Sequence, residues 1–287
     1  MVVEGYYFVG CSIGRRLLHR IGKEEYELLK KFNLDFNKFS NVVDCYKNFI
    51  KSKNMLEEYI NKIETDIEEM EKIYSELKFL VLTNILLGRL FVDNCKAFST
   101  QLKLVELKEL IRIYEQYDEI RILKILRDFG QHFSIPVDNL VQQIDLLKER
   151  ATVKIYISKS ELERNKGSNK QNDKFISEIS EKEIELIESF KKWSFILDKV
   201  FLDLKSIYYN QISSEIKRIV GKYFSPVILG NNIYRPNYIA IESLDQSNIS
   251  LPDNPDKRFN TYRNIAFTRF SRIAMDELFS LEFDNVL

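Results

Sequence analysis

Arg127 and His132 stand five residues apart in Leu126-Arg127-Asp128-Phe129-Gly130-Gln131-His132-Phe133-Ser134-Ile135-Pro136, and His132 is one of only two histidines in the chain. Arginine is a permanent cation with a fixed fork of donors, and imidazole exchanges protons near neutral pH. Cleavage of a phosphodiester uses both properties, one to hold charged phosphate oxygens and one to move protons. On a regular helix five residues turn by about 500° and rise by about 7.5 Å, so the two side chains leave about 140° apart. Gly130 lowers the cost of unwinding the helix before His132, and Pro136 requires it to end soon afterwards. Such a departure, or a second copy of the chain, is needed to bring the two groups together. The competing reading makes His132 a helix-end cap or packed side chain, with Arg127 in a salt bridge to an acidic residue.

The elements that must position this pair are mainly helical. From Val43 to Ala97 the apolar residues Leu56, Ile60, Ile63, Ile67, Met70 and Ile73 recur at steps of three and four. The stretch then turns apolar on nearly every side through Leu77, Leu80, Val81, Ile85, Leu86, Leu90 and Phe91. A long exposed helix thus runs into, or is followed by, a buried one. Asp93 and Asn94 are polar on that buried segment and need partners; Asp93 either holds another helix or orients a site residue. Further helices are expected from Leu102 to Tyr114 and from Asp118 to His132, with a shorter one over Val137 to Arg150.

Val153 to Ile157 alternates and reads as a short strand, while Arg164 to Asp173 is polar and reads as a loop. Glu181 to Ile219 is helical, with Trp193 in its apolar stripe as a core anchor. Tyr6 to Val9, Tyr223 to Ile228 and Tyr238 to Ile241 are candidate strands. Lys23 to Lys31 and Thr261 to Leu278 are candidate helices. Arg258, Arg263, Arg269 and Arg272 make the tail locally basic, which reads first as a solvated surface rather than an RNA-binding face.

Composition narrows the function classes. Forty-three basic residues balance forty-three acidic ones, which disfavours a protein whose main task is coating nucleic acid but leaves room for a local basic cleft. Cys11, Cys45 and Cys95 have no metal-ligand spacing, and Cys95 in its apolar neighbourhood reads as a buried structural thiol. There is no glycine-rich phosphate loop followed by Lys-Ser/Thr and no His-Glu-x-x-His, so neither a cofactor nor a metal is expected. The acidic residues from Glu57 to Glu76 are spaced as a solvated helix face. The N-terminus lacks the charged leader and apolar run of a secretion signal, and Phe79 to Val92 is too short and too interrupted to span a bilayer. A cytoplasmic location with no membrane contact is expected.

Arg127-Asp128-Phe129-Gly130-Gln131-His132 resembles the Arg-polar-x(3–5)-His motif of the HEPN superfamily, all-helical domains that include many metal-independent RNA endonucleases. Phe133-Ser134-Ile135-Pro136-Val137 looks like the segment that follows the motif in uncharacterised bacterial HEPN-like proteins. Thr83-Asn84-Ile85-Leu86-Leu87-Gly88-Arg89-Leu90-Phe91-Val92-Asp93 resembles their preceding core helix. The similarity covers Met55 to Leu147, and Asp128 stands where that group more often has Asn.

The resemblance implies a HEPN-like helical bundle with minor β-strand and C-terminal elaborations. It divides the chain into a mixed N-terminal segment (1–42), a HEPN-like core (43–150) and a C-terminal extension (151–287). It implies RNA cleavage by attack of the ribose 2′-hydroxyl, leaving a 2′,3′-cyclic phosphate and a 5′-hydroxyl. His132 would move protons, Arg127 would hold the phosphate oxygens, and Asp128 would orient one of them. Asp93 and Asn84 are supporting candidates, although Asn84 reads more readily as part of a core hydrogen-bond network. A homodimer with two Arg/His pairs facing one cleft is also implied. The alternative is a non-catalytic RNA-binding or protein-interaction subunit of a bacterial defence or toxin–antitoxin system, with an antitoxin or defence protein as partner.

Overall fold

The computed structural model describes residues 2–12, 15–65, 70–145, 150–164, 167, 169–225, 227–229, 232–234, 237–245, 265–266 and 277–279. In chain order its elements are β1 (Val2–Ser12), β2 (Arg15–Ile21), α1 (Lys23–Thr65), α2 (Met70–Gln101), α3 (Val105–Tyr114) and α4 (Asp118–His132). Then come β3 (Asn139–Asp145), β4 (Arg150–Ser158), α5 (Lys159–Glu163), α6 (Lys170–Glu178), β5 (Glu183–Glu185), α7 (Leu186–Gln211) and α8 (Ser214–Phe224). Four strands follow, β6 (Val227–Leu229), β7 (Asn232–Tyr234), β8 (Asn237–Asp245) and β9 (Ile265–Ala266). The fold is mainly helical with small antiparallel sheets, as expected. No helix among the described residues is long and apolar enough to cross a membrane.

Two compact units result, one of Met1–Asn41 with Lys205–Leu287 and one of Val42–Leu204. Their boundaries fall inside α1 and α7. Residues 151–204, expected to open a C-terminal extension, group with 42–150, while 205–287 group with the N-terminal segment.

The first unit is built on a sheet of order β2-β1-β8-β9. Phe8 of β1 is fully buried and meets Tyr223 and Phe224 of α8 edge-on, with ring centroids 5.2 and 5.6 Å apart. Tyr223 and Phe224, expected to start a strand, are instead the end of an amphipathic helix. Ser213 caps that helix by accepting from the Ile216 amide, and this cap breaks the helix expected over Glu181 to Ile219 into α7 and α8. Of the helix expected from Thr261 to Leu278, Ile265–Ala266 form a strand paired with Ala240 and Ile239 of β8. Most of that stretch, with its Arg263, Arg269 and Arg272, and the preceding Arg258 lie outside the described residues.

The second unit packs α2, α3 and α4 with the parts of α1 and α7 that belong to it. Its core includes Phe49, Leu56, Leu77, Ile85, Phe91, Leu107, Leu123, Leu126, Phe129, Trp193 and Leu197, all at most 2% exposed. Trp193 is the core anchor its stripe predicts. Cys95 is buried, and burial pushes its thiol well above the ordinary range, as expected of a structural thiol.

Two local expectations fail here for physical reasons. Val137 to Arg150 is not a helix. Its residues from Asn139 to Asp145 pair antiparallel with β4, Leu140 opposite Ile155 and Gln142 opposite Val153. Just before β3, the Asp138 carboxylate accepts from the amide and hydroxyl of Ser158 at 3.0 and 2.5 Å, tying the two strands together. The polar stretch Arg164 to Asp173 also holds more structure than a loop. Asn169 accepts from the amides of Gln171 and Asn172 and so starts α6 at Lys170.

Candidate functional site

Helix α4 carries the motif. Ile120, Leu123, Leu126 and Phe129 recur at three-residue steps with Ile125 between them, and all are buried. Asp118 and Glu119 lie in the first turn, where negative charge complements the helix dipole. The helix stays regular through His132, with the Phe133 amide bonded to the Phe129 carbonyl at 2.9 Å. The unwinding after Gly130 that would swing His132 round towards Arg127 is therefore absent. Gly130 serves packing instead, because a Cβ there would lie 2.9 Å from Leu82 Cδ1 on α2. With the helix intact, Arg127 and His132 of one chain leave the axis about 140° apart.

Arg127 is part-exposed and engaged on every side. Its Nη1 donates to Gln131 Oε1 at 2.9 Å, one turn along α4. Its Nη2 faces Asp93 Oδ2 at 3.6 Å, and its Nε lies 3.2 Å from Asp128 Oδ1. The last approach is an ion pair without an aligned hydrogen bond, since the buried Nε–H has no acceptor in line.

Behind Arg127 the charges alternate. Asp93 Oδ1 accepts from Arg89 Nη2 at 2.7 Å, so one carboxylate on α2 serves both arginines. Arg89 is 3% exposed, and its Nη1 donates to Glu115 at 2.9 Å. Lys96 reaches the other oxygen of Glu115 at 2.5 Å. Burial pushes the Glu115 carboxyl up, but the Lys96 and Arg89 cations together outweigh it and hold the group below its ordinary range. Lys96, Arg89 and Arg127 thus face Glu115, Asp93 and Asp128, three cations against three carboxylates.

Asp128 is anchored from α6, whose buried Asn172 donates Nδ2 to its Oδ2 at 2.7 Å. The carboxylate therefore points to Arg127 with one oxygen and to Asn172 with the other. His132 is exposed and has no hydrogen bond, ion pair or ring contact among the described residues. It neither caps a helix nor packs in a core.

Asn84 lies elsewhere. It is fully buried, donates to Ser52 Oγ at 3.2 Å and accepts from Trp193 Nε1 at 3.0 Å, linking α1, α2 and α7 through the core. That is the network its apolar context predicts, and it has no bond to the Arg127 cluster. Asp93 does join that cluster.

Arg89, Glu115, Gln131 and Asn172 belong to the arrangement and were not among the sequence candidates. Arg89 carried a readable signal as a cation inside a run of apolar residues. Glu115 and Asn172 carried none, because their partners lie 26 and 44 positions away. Among the described residues no group of three or more His, Cys, Asp or Glu could hold a metal ion. Chemically, the site offers one exposed imidazole and one arginine that must trade carboxylates for phosphate before it can hold a phosphate. Comparison with protein-family models, with curated proteins and with solved structures gives no match to this chain.

Proposed function

We propose that the chain is a HEPN-type ribonuclease that cuts RNA without a metal ion, with Val42–Leu204 as the catalytic unit. The observation that carries this reading is an exposed, unpartnered His132 closing the surface helix whose Arg127 is held by Asp93 and Asp128. A histidine that neither caps nor packs has only its place in the last turn of α4, at the negative end of the helix, as a structural duty.

In the reaction the ribose 2′-oxygen attacks the adjacent phosphorus. The O2′–P bond forms, the P–O5′ bond breaks, and the products end in a 2′,3′-cyclic phosphate and a 5′-hydroxyl. One imidazole takes the proton of the 2′-hydroxyl, and a protonated one delivers a proton to the leaving 5′-oxygen. Arg127 holds the non-bridging oxygens as their charge grows. Asp93 and Asp128 are positioning residues that fix the guanidinium. Since Arg127 and His132 leave α4 in different directions, a complete cleft takes two copies of the chain, each giving an imidazole. DNA lacks the attacking hydroxyl and is not cut.

The balance of charge around Arg127 favours a second reading. Its donors already face Gln131, Asp93 and Asp128, as in a finished structural ion cluster. On that reading the chain is a non-catalytic RNA-binding or protein-interaction subunit of a bacterial defence or toxin–antitoxin system.

One assay separates them. Purified protein is incubated with structured and single-stranded RNAs in excess chelator, beside H132A and R127A. The ribonuclease reading expects chelator-resistant cleavage, cyclic-phosphate ends, and loss of both in each variant. Cleavage by H132A equal to that of the unaltered chain would overturn the assignment of His132.

A further inference from the structure

A pocket of about 350 Å³ opens beside the Arg127 cluster, walled by α2, α4, α6 and the turn that joins α3 to α4. Five cations line it, Arg89, Lys96, Arg121, Lys124 and Lys174, against a single carboxylate, Glu115. We propose that this pocket binds a small phosphate monoester, with the phosphoryl group among the cations and an uncharged body against Phe175.

The charge count comes first. Glu115 is shared by Arg89 and Lys96, Arg89 also meets Asp93, and Arg121 meets Asp118 and Glu178, so the positive charge left over for a phosphoryl group comes chiefly from Lys124. Lys124 makes no ion pair among the described residues. Among the described residues Lys174 pairs with Glu178 alone, at 3.9 Å.

Arg89 supplies an independent observation. It is 3% exposed, it lines the pocket, and while its Nη atoms bond Glu115 and Asp93 its Nε–H has no acceptor among the described residues. A buried guanidinium donor without a partner is costly and calls for an anion or an equivalent acceptor. Gln116 and Gln171 add side-chain amides with no hydrogen bond among the described residues.

Part of the lining is apolar. Phe175 lies with Ile120 and Ile125, and the Arg121 guanidinium stacks over the Phe175 ring at 3.7 Å. A flat cationic group on an aromatic face can also receive a second ring. The volume is at the small end of ligand pockets, which span about 300–1,000 Å³, and suits a compact ester better than a length of strand. None of this needs the ribonuclease reading, although Arg89 and Asn172 tie the pocket to Asp93 and Asp128.

The test is calorimetric titration of the full chain with inorganic phosphate, adenosine monophosphate, adenosine, and a short RNA carrying a 5′-hydroxyl. The monophosphate is expected to bind saturably and more tightly than phosphate, and adenosine not to bind. The RNA is expected to leave the bound monophosphate in place. Lys124→Glu should weaken binding by about tenfold, whereas Lys192→Glu, an equal charge change outside the pocket, should leave it within about twofold. Absence of saturable monophosphate binding below about 10 mM overturns the proposal, as do equal effects of the two variants. Displacement of the monophosphate by the RNA also overturns it and assigns the pocket to a strand-binding surface. The readout contains no cleavage step, so it fails or succeeds independently of His132.

Discussion

Asn172 on α6 donates to Asp128 on α4 at 2.7 Å, across 44 positions of sequence, and so fixes the carboxylate that faces Arg127. The bond leaves Asp128 one oxygen for Arg127, whose guanidinium is set as well by its hydrogen bond to Gln131 and its approach to Asp93. Asn172→Ala is expected to lower RNA cleavage at saturating substrate while changing the apparent substrate affinity less. Asn172→Asp should be worse, since it sets two carboxylates against each other. Steady-state kinetics of the two variants on one RNA checks this. Full activity in both would remove Asp128 from any positioning role.

Glu115 gives a prediction in pH. Its folded carboxyl titrates below the ordinary value of 4.5, so the unfolded chain takes up the proton more readily. The stability it contributes is fully present above that value and disappears as pH falls through the lowered folded one. At neutral pH, Glu115→Gln should cost about 2–3 kcal/mol, less than the 3–5 of a fully buried pair because Glu115 keeps some exposure. Urea unfolding of both proteins from about pH 7 to about pH 3 should show the gap closing below about pH 4.5. A constant gap would mean that Arg89 and Lys96 do not hold this carboxylate.

Legibility along the chain followed the range of the interactions. Helix α4 was readable from end to end, because the spacing of Ile120, Leu123, Leu126 and Phe129 and the stop at Pro136 are local. Strand β3 was not, because only the facing Ile155 and Val153 of β4 make Asn139–Asp145 a strand. Within the site, Arg127, His132 and Asp93 stood out by residue type. Asn172 hid in a polar stretch that reads as a loop, and Glu115 in one more acidic turn. Their roles come from tertiary contacts that no local pattern encodes.

Gly130 is expected to be a packing glycine. Alanine there gains up to about 1 kcal/mol of helix propensity but meets Leu82 Cδ1 at 2.9 Å. Leu82 is a side-chain tip at a part-exposed position and can shift at modest cost, so Gly130→Ala alone should destabilise by about 1 kcal/mol. In a Leu82→Ala background the same change should stabilise, since only the propensity gain remains. A double-mutant cycle by chemical denaturation reads the reversal of sign, and two effects of equal sign and size would place the constraint elsewhere.

Asn84 should matter for stability alone. Asn84→Ala leaves Trp193 Nε1 without its acceptor, while Ser52 Oγ loses one bond and keeps the one it donates to the Phe49 carbonyl, at about 1–3 kcal/mol. Cleavage per folded molecule should be unchanged at temperatures where the variant stays native. A variant that melts normally and has lost cleavage would return Asn84 to the site.

His132 and Arg127 allow the sharpest separation of chemistry from structure. His132 is exposed and unpartnered, so His132→Ala should melt at the temperature of the unaltered chain while losing cleavage. Arg127→Ala releases Asp93 and Asp128 from a shared cation and should melt lower as well as lose cleavage. If one cleft takes its arginine from one copy and its imidazole from the other, mixing the two inactive variants under exchange conditions has a defined outcome. Each mixed dimer would retain one Arg127, on the H132A chain, and one His132, on the R127A chain. A cleft that needs both imidazoles stays dead in the mixture. A cleft that works with one Arg127 and one His132 regains part of its activity. Recovery in the mixture, with none in either variant alone, therefore establishes a composite site, and activity of the isolated H132A chain would end the proposal for this histidine.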